Sequence, residues 1–425
     1  MCSDALPAIT ITPDPALSDD PVRIHLRGFA PGQRVTLRAA MADDAGQRWR
    51  SWAEFAANDA GDVDLATAAP LAGSYSSADA IGLFWSMARA DDEDNEPATF
   101  ARTTTHPLTI TCTAEADGRV VATAHHTRLG MAAGVRRVEA RERGLVGALF
   151  LPPGEGPHPG VIVLGGSSGG MREPLAALLA SHGCAALALA YFGVEGLPPQ
   201  LADIPLEYFE TALDWIATRP DVRGERCALL GTSRGAELAL LLGATFPQVS
   251  AVVAYAPSGV LWGGVGASGP AWTYRGEPLP IVPDRVPPEL DAAMSARDPI
   301  SATEWYLYNL EDEAALGPAT IAVERIAGPV LLISGEDDQM WPSTLMAERI
   351  MRRLAEYRFT WPYRHLRYPD AGHLIAPPWQ PTTVNVRRHP TVGGAFAYGG
   401  TPLGMARANA DSWPRVLEWL GARMA

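Results

Sequence analysis

The chain contains no lysine: all 34 of its basic residues are arginine, against 48 acidic ones, for a formal charge of −14. A missing residue type of this kind is a mark of genomic composition before it is one of chemistry. The negative balance excludes a general nucleic-acid binder and a basic membrane-surface protein, both of which need clustered positive charge. Cysteine is scarce, with Cys2, Cys112, Cys184 and Cys227 in 425 residues and no CxxC pair. A disulfide-stapled secreted domain and a structural zinc site are excluded on that count. No unbroken apolar run reaches the roughly 18 residues of a membrane helix. The opening MCSDALPAIT lacks the basic and then apolar order of a signal peptide. These absences predict a soluble, cytoplasmic protein without a nucleic-acid or membrane partner. What is present, 47% hydrophobic and 19% charged residues, is a globular composition, and the length suggests two or three domains.

The pattern divides near residue 130. Before it, PAITITPDP, PVRIHLRGFAPG, QRVTLRAAMAD, GQRWRSWAEFAAN, ADAIGLFWSM and HPLTITCTAE each have the length and turn-residue borders of a strand. Arg23, His25 and Arg27 alternate with Val22, Ile24 and Leu26, so one face is wet and the other packs. Residues 1–130 are expected to form an all-β sandwich. The acidic run Asp91–Pro97 is expected to be a solvated loop, with a cation site as the sharper alternative.

After residue 130, VRRVEARE and LVGALFLPP predict a pair of strands. GVIVLGG, CAALALAYFG, CALLG, AVVAYAPS and PVLLISGEDD then alternate with helices MREPLAALLASHG, PLEYFETALDWIATRP and RGAELALLLGATFP. Continuous apolar strands separated by helices predict a doubly wound, mostly parallel sheet over residues 131–425. The pattern lapses around 258–327 into a Gly-, Pro- and aromatic-rich stretch. A connection that long in a compact domain is expected to be a lid or pocket wall.

Between strand CALLG and its helix stands Gly231-Thr232-Ser233-Arg234-Gly235. The turn of a nucleophile elbow is too tight for side chains at its flanks, hence glycine two before and two after the serine. The bare pattern is weak, but strand-turn-helix context makes it strong. The plain alternative is a serine capping a packed helix. Gly166-Ser167-Ser168-Gly169-Gly170 fits the same pattern but follows the first buried strand, where an α/β hydrolase carries its oxyanion loop. Ser167 and Ser168, with the N–H of Arg234, are therefore expected at the oxyanion hole, and either serine is the alternative nucleophile.

A serine needs a base, and the base an orienting carboxylate; the chain order in this fold is Ser, acid, His. LLISG ends in Glu336-Asp337-Asp338, and RHLRYP delivers Asp370-Ala371-Gly372-His373, where Gly372 is expected to let the backbone turn. Asp338 is expected to orient and His373 to act as base, with Asp337 and Glu336 solvated or capping. His158, His182 and His365 are less well placed, His125 and His126 lack the spacing of a helical metal pair, and His389 is a weak alternative. Trp262, Trp272, Tyr274, Trp305, Tyr306 and Tyr308 either line an acyl pocket or pack the insertion onto the sheet. The first two, with Tyr274 and Trp305, are the candidates for substrate contact.

Taken together, SYSSADAIGLFWSM, PHPGVIVLGGSSGGMREPLAALLASHGCAALALAYFG, LLGTSRGAELAL, SGEDDQMWPS and YPDAGHLIAPP resemble the acyl-CoA thioesterase and bile acid-CoA:amino acid N-acyltransferase family over nearly the whole chain. The resemblance implies an N-terminal immunoglobulin-like sandwich, a C-terminal α/β-hydrolase domain, and an acyl-enzyme formed on Ser or Cys with Asp and His. Those roles carry over to Ser233, Asp338 and His373. The acyltransferase branch places cysteine at the elbow, so Ser233 leans toward hydrolysis. The long insertion and the late segment HPTVGGAFAYGGTPLG look less like the animal members. The expected substrate is an acyl thioester of coenzyme A or a carrier protein, with no metal or organic cofactor called for. Three alternatives remain: another serine hydrolase (esterase, amidase or peptidase), an acyltransferase using an amine, and a catalytically silent binding protein.

Overall fold

The computed structural model describes residues 6–90, 99–378 and 380–423. The acidic run Asp91–Pro97 and Cys2 lie outside them. Two compact units result, Met1–Ala132 with Pro377–Val384, and Ala133–Ala376 with Asn385–Ala425. The later excursion 377–384 thus belongs with the first unit, which a single cut at residue 130 does not anticipate.

The first unit is built on strands. Ala8–Thr12, Arg23–Arg27 and Val63–Asp64 form one antiparallel sheet. A larger sheet runs in the order Ala16–Leu17, Arg119–Leu129, Leu108–Ala116, Arg34–Ala42, Arg48–Ala56, Ala72–Gly73. Alternation decides the faces: Val35, Leu37, Ala39 and Met41 are buried while Arg34 and Arg38 are exposed.

Two local expectations need correction. ADAIGLFWSM is not a strand; Gly82–Trp85 makes one turn of helix. Ile81, Leu83, Phe84, Trp85 and Met87 are all buried, so this run has no wet face to alternate with. Asp79 fixes the turn by accepting from Ile81 N–H and from the Trp85 indole. The eleven-residue strand Arg119–Leu129 is the converse case, missing from the expected set because its His and Thr residues dilute the apolar pattern. The excursion docks by backbone pairing, Thr382 N–H donating to Trp85 O at 2.9 Å.

The second unit holds the eight-stranded sheet. Its strands are β1 (Arg136–Ala140), β2 (Val146–Leu151), β3 (Gly160–Leu164), β4 (Ala185–Ala190), β5 (Cys227–Thr232), β6 (Val249–Tyr255), β7 (Val330–Gly335) and β8 (Tyr363–Tyr368), in the order β1-β2-β4-β3-β5-β6-β7-β8. Only the β1-β2 and β2-β4 pairs are antiparallel. Every residue of β2, β3, β4 and β7 is buried, so both faces of the sheet are covered and the strands read as unbroken apolar runs. The helices α1 (Glu173–Ser181), α2 (Leu206–Ala217), α3 (Arg234–Thr245), α4 (Ser343–Glu356) and α5 (Pro402–Arg423) alternate with them. This is the strand order of an α/β hydrolase. The insertion carries a small sheet, Trp272–Tyr274 and Glu277–Pro278 beside Ile204–Pro205, and helices Pro288–Ser295 and Thr303–Leu310.

From β3 the chain turns toward β4 on one side, and from β5 toward β6 on the other. Open parallel sheets bind ligands at such a reversal, beyond the carboxyl ends of the strands. Because β3 and β5 pair with Leu164 opposite Gly231, the loops after them are neighbours.

Candidate active site

Ser233 sits between β5 and α3 with φ 59° and ψ −122°, a left-handed backbone that costs a non-glycine residue energy and lifts its side chain out of the turn. Its N–H is anchored on Tyr255 O at 2.8 Å. The flanking glycines are required by space: a Cβ on Gly231 would fall 2.0 Å from Gly235 O, and one on Gly235 would fall 2.2 Å from Gly165 O. The elbow is therefore wedged against the loop that follows β3. As the first residue of α3, Arg234 has no carbonyl four residues back for its N–H within the helix.

Gly166 is the loop residue that comes up against the serine, a Cβ there meeting Ser233 Cβ at 3.3 Å and Oγ at 3.8 Å. Gly169 and Gly170 take φ 67° and 73° to complete the turn. Ser168 is exposed, and Ser167 Oγ is 2.9 Å from His389 Nε2. His389 Nδ1 accepts from the N–H groups of Thr391 and Val392, so Nε2 carries the proton and donates to Ser167. A histidine in that tautomer takes no proton from Ser167. Ser167 is thereby held as an acceptor, and Gly166, absent from the expected residues, is the member of this loop that stands against Ser233.

His373 and Asp338 are both buried, with Nδ1 2.9 Å from Oδ2 and 3.0 Å from Oδ1. Asp338 also accepts from Met340 N–H, Trp341 N–H and, at 2.6 Å, the buried Ser343 hydroxyl. So fully engaged a carboxylate is fixed in place and fixes the ring in turn. Ser343 is absent from the expected set; its only signal is its position at the start of α4, five residues after the aspartate. Asp337 is exposed and accepts from Gly400 N–H, and Glu336 pairs with Arg367. The turn before the histidine is made by Asp370, at φ 57°, and not by Gly372. Gly372 is needed because a Cβ would fall 2.2 Å from Tyr398 O, where the late segment braces the loop and Tyr398 O accepts from His373 N–H. His365 bonds Ser334, and burial lowers its pKa to about 4.

Beneath the elbow, the buried Arg234 guanidinium pairs with Glu237 at 2.9 Å and donates to Trp262 O and Gly263 O, tying the insertion to α3. Burial raises the Glu237 carboxyl to about 7 against the pull of Arg234. Trp272 is fully buried and donates its indole N–H to Glu237, so it presents no surface to a substrate. The pocket expectation is corrected there: an indole whose N–H must satisfy a buried carboxylate is held inside. Tyr274 is half-buried and packs edge-on against Phe246. Trp262 and the half-buried Trp305 join Tyr306 and Trp341 in a chain of ring contacts that ends on His373, Trp341 lying 5.8 Å from it.

A cavity lined by Val260, Leu310, Leu316, Met346, Arg349 and Ile350 lies elsewhere and holds none of these groups. Among the described residues no group of three or more His, Cys, Asp or Glu side chains is placed to hold a metal, and no helix is long and apolar enough to cross a membrane.

Two family models match the sequence: the C-terminal model of BAAT and acyl-CoA thioester hydrolases over residues 204–425, and the acyl-CoA thioester hydrolase/BAAT N-terminal region over 19–142. Among individual proteins, acyl-coenzyme A thioesterase 6 of Mus musculus is 35% identical over 96% of this chain and 95% of its own. Acyl-coenzyme A thioesterase 1 of Homo sapiens is 34% identical over 94% of this chain and 92% of its own. Acyl-coenzyme A thioesterase 2, mitochondrial, of Homo sapiens is 34% identical over 94% of this chain and 80% of its own. A solved dienelactone hydrolase-like phosphotriesterase from metagenomic libraries aligns over 68% of this chain and 98% of its own, at TM-score 0.41 and 19% identity, too distant to bear on the chemistry.

Proposed function

Because this chain belongs to the acyl-CoA thioester hydrolase/BAAT family and is an enzyme of the hydrolase kind, we propose that it hydrolyses acyl-coenzyme A through an acyl-enzyme on Ser233. The observation that carries this reading is the strained elbow of Ser233, which follows β5 at the same carboxyl edge of the parallel sheet from which the loops after β7 and β8 bring the buried His373–Asp338 pair. His373 takes the serine proton as Oγ attacks the thioester carbonyl, and Asp338 stabilises the cation that forms. The N–H of Arg234 and those of the Gly166–Ser167 turn receive the oxyanion, where preorganised donors act most strongly. The thiol leaves, and His373 activates a water that releases the acid.

The N-terminal strands fit an immunoglobulin-like sandwich, which belongs to the same proposal. So does a cytoplasmic location; similar relatives include proteins named mitochondrial and one named peroxisomal. Transfer to an amine is the second reading, favoured by the BAAT half of the family description and opposed by serine at the elbow. Incubation with acyl-coenzyme A, with mass spectrometry of Ser233 and of the products, tests both. Free acid and an acylated Ser233 are expected. Turnover without serine acylation overturns the mechanism, and amide as the sole product overturns hydrolysis.

A further inference from the structure

The two sources of oxyanion donors lie on different segments, Arg234 N–H at the start of α3 and the Gly166–Ser167 turn after β3. A line of buried side chains joins one to the other. Tyr191, directly after β4, donates its hydroxyl to Gly165 O at 2.5 Å. Its ring packs against the Trp272 ring, 5.9 Å between centroids. The Trp272 indole N–H donates to Glu237 Oε1 at 2.8 Å, and Glu237 Oε2 pairs with the Arg234 guanidinium at 2.9 Å.

Each end of this line acts on a backbone group. A trans peptide is a rigid plane in which C=O and N–H point opposite ways. Gly165 O and Gly166 N–H share one such plane, so by holding the oxygen the Tyr191 hydroxyl sets the direction of the N–H. Gly165 O is also the atom against which the elbow is wedged, 2.2 Å from a Cβ on Gly235. At the other end, Glu237, Trp262 O and Gly263 O hold the Arg234 guanidinium. The residue whose own N–H heads α3 is thereby clamped by its side chain.

Packing alone does not call for these groups. Tyr191 is 2% exposed, Arg234 3%, and Trp272 and Glu237 not at all. A phenyl ring would fill the place of Tyr191 among Phe192, Phe209 and Trp272 equally well. A buried ion pair often stabilises no more than apolar side chains of the same volume, yet hydrogen-bonded groups have preferred directions that apolar contacts lack. Burial pushes the Tyr191 phenol upward, so it keeps the proton it donates.

We propose that Tyr191 and Glu237 are positioning residues for the oxyanion hole, Tyr191 aiming Gly166 N–H and Glu237 holding Arg234, so that both donors meet the tetrahedral intermediate together. This rests on the acyl-enzyme reading above. Donors fixed before the reaction act on charge that develops only in the transition state. Loss of the positioning should therefore slow the chemistry and leave ground-state binding alone.

Tyr191→Phe removes one oxygen and keeps the ring. Steady-state kinetics on an acyl-coenzyme A should show kcat reduced roughly tenfold, with KM within about twofold of the wild type. A trifluoromethyl ketone analogue of the thioester, to which Ser233 adds as an anionic tetrahedral adduct, should bind more weakly by the same factor. An S-alkyl coenzyme A has no such carbonyl and should bind unchanged. Glu237→Gln keeps an oxygen for Trp272, loses the charge facing Arg234, and should give the same split. Unchanged kcat in either folded variant, a rise in KM in place of the fall in kcat, or equal weakening of ketone and S-alkyl compound overturns the proposal. If the wild type hydrolyses no thioester, the acyl-coenzyme A reading falls, and the rate at which a fluorophosphonate labels Ser233 decides the positioning separately. Labelling of Tyr191→Phe slowed roughly tenfold upholds it. An equal rate, or a wild type that is not labelled, overturns it.

Discussion

Ser167 Oγ receives the Nε2 proton of His389 at 2.9 Å, across 222 residues of chain. The second GxSxG turn thus owns a histidine, but one whose other nitrogen is occupied by backbone N–H groups. The two serines should respond differently to removal. Ser233→Ala should abolish acyl release with the thermal melt unchanged. Ser167→Ala should cost about fivefold in kcat, the worth of one neutral hydrogen bond steadying the loop. Near wild-type turnover in Ser233→Ala, with a dead Ser167→Ala, would reverse the assignment.

The carboxylate choice is as sharp. Asp338→Asn leaves the Ser343 and backbone donors in place but presents the wrong group to His373 Nδ1, so turnover should fall by roughly 10⁴. Asp337→Asn keeps an oxygen for Gly400 N–H and should change turnover less than fivefold. Steady-state kinetics on the pair would move the role by one residue if the order came out reversed.

The elbow's packing gives a stability contrast. Gly235→Ala drives a methyl to 2.2 Å from Gly165 O and 2.6 Å from Leu164 O, backbone atoms that move only with β3. A loss of about 3 kcal/mol is expected. Gly170→Ala meets nothing within 4 Å and bears only the strain of φ 73°, about 1 kcal/mol. Equal losses in urea denaturation would show that the close approach is not what holds the glycine.

Acid should destabilise the fold through its buried histidines. Burial lowers His365 to about 4, and lowers His126 and His389 as well. Between the unfolded value near 6.5 and the folded ones, the unfolded chain binds more protons, so stability falls as pH drops through that window. His365→Gln should flatten the denaturation midpoint against pH between 6.5 and 4; an unchanged slope would remove His365 as a contributor.

The elbow is legible in the sequence because its chemistry demands local residues: glycines two either side of Ser233, between an apolar strand and a helix. Parallel strands are legible for a similar reason, since burial on both faces leaves unbroken apolar runs. What escapes depends on distant contact. No local pattern tells that Ser167 meets His389, that Trp272 must satisfy Glu237, or that Tyr191 reaches Gly165 O. Gly82–Trp85 misleads because a buried single turn and a buried strand share the same composition. The excursion 377–384 carries no pattern of its own and is defined only by where its backbone docks.

The identity of the nucleophilic atom should decide how long the acyl-enzyme lives. A thiolate is the better nucleophile and is more populated near neutral pH than an alkoxide. Ser233→Cys should therefore still be acylated, and the elbow has room for it, since the serine side chain keeps accessible surface. The resulting thioester exchanges with amines more readily than with water, whereas on the proposed mechanism an oxygen ester on Ser233 is open to any nucleophile that His373 activates. Wild-type protein should release thiol and acid together at steady state, and Ser233→Cys should show a burst of thiol followed by slow acid release. Stopped-flow detection of thiol with quenched-flow assay of acid separates the two. A wild-type protein that forms amide quantitatively from a particular amine, and hydrolyses nothing, would contradict this. The acceptor would then be chosen by the walls of the cleft, with Ser233 only carrying the acyl group between partners.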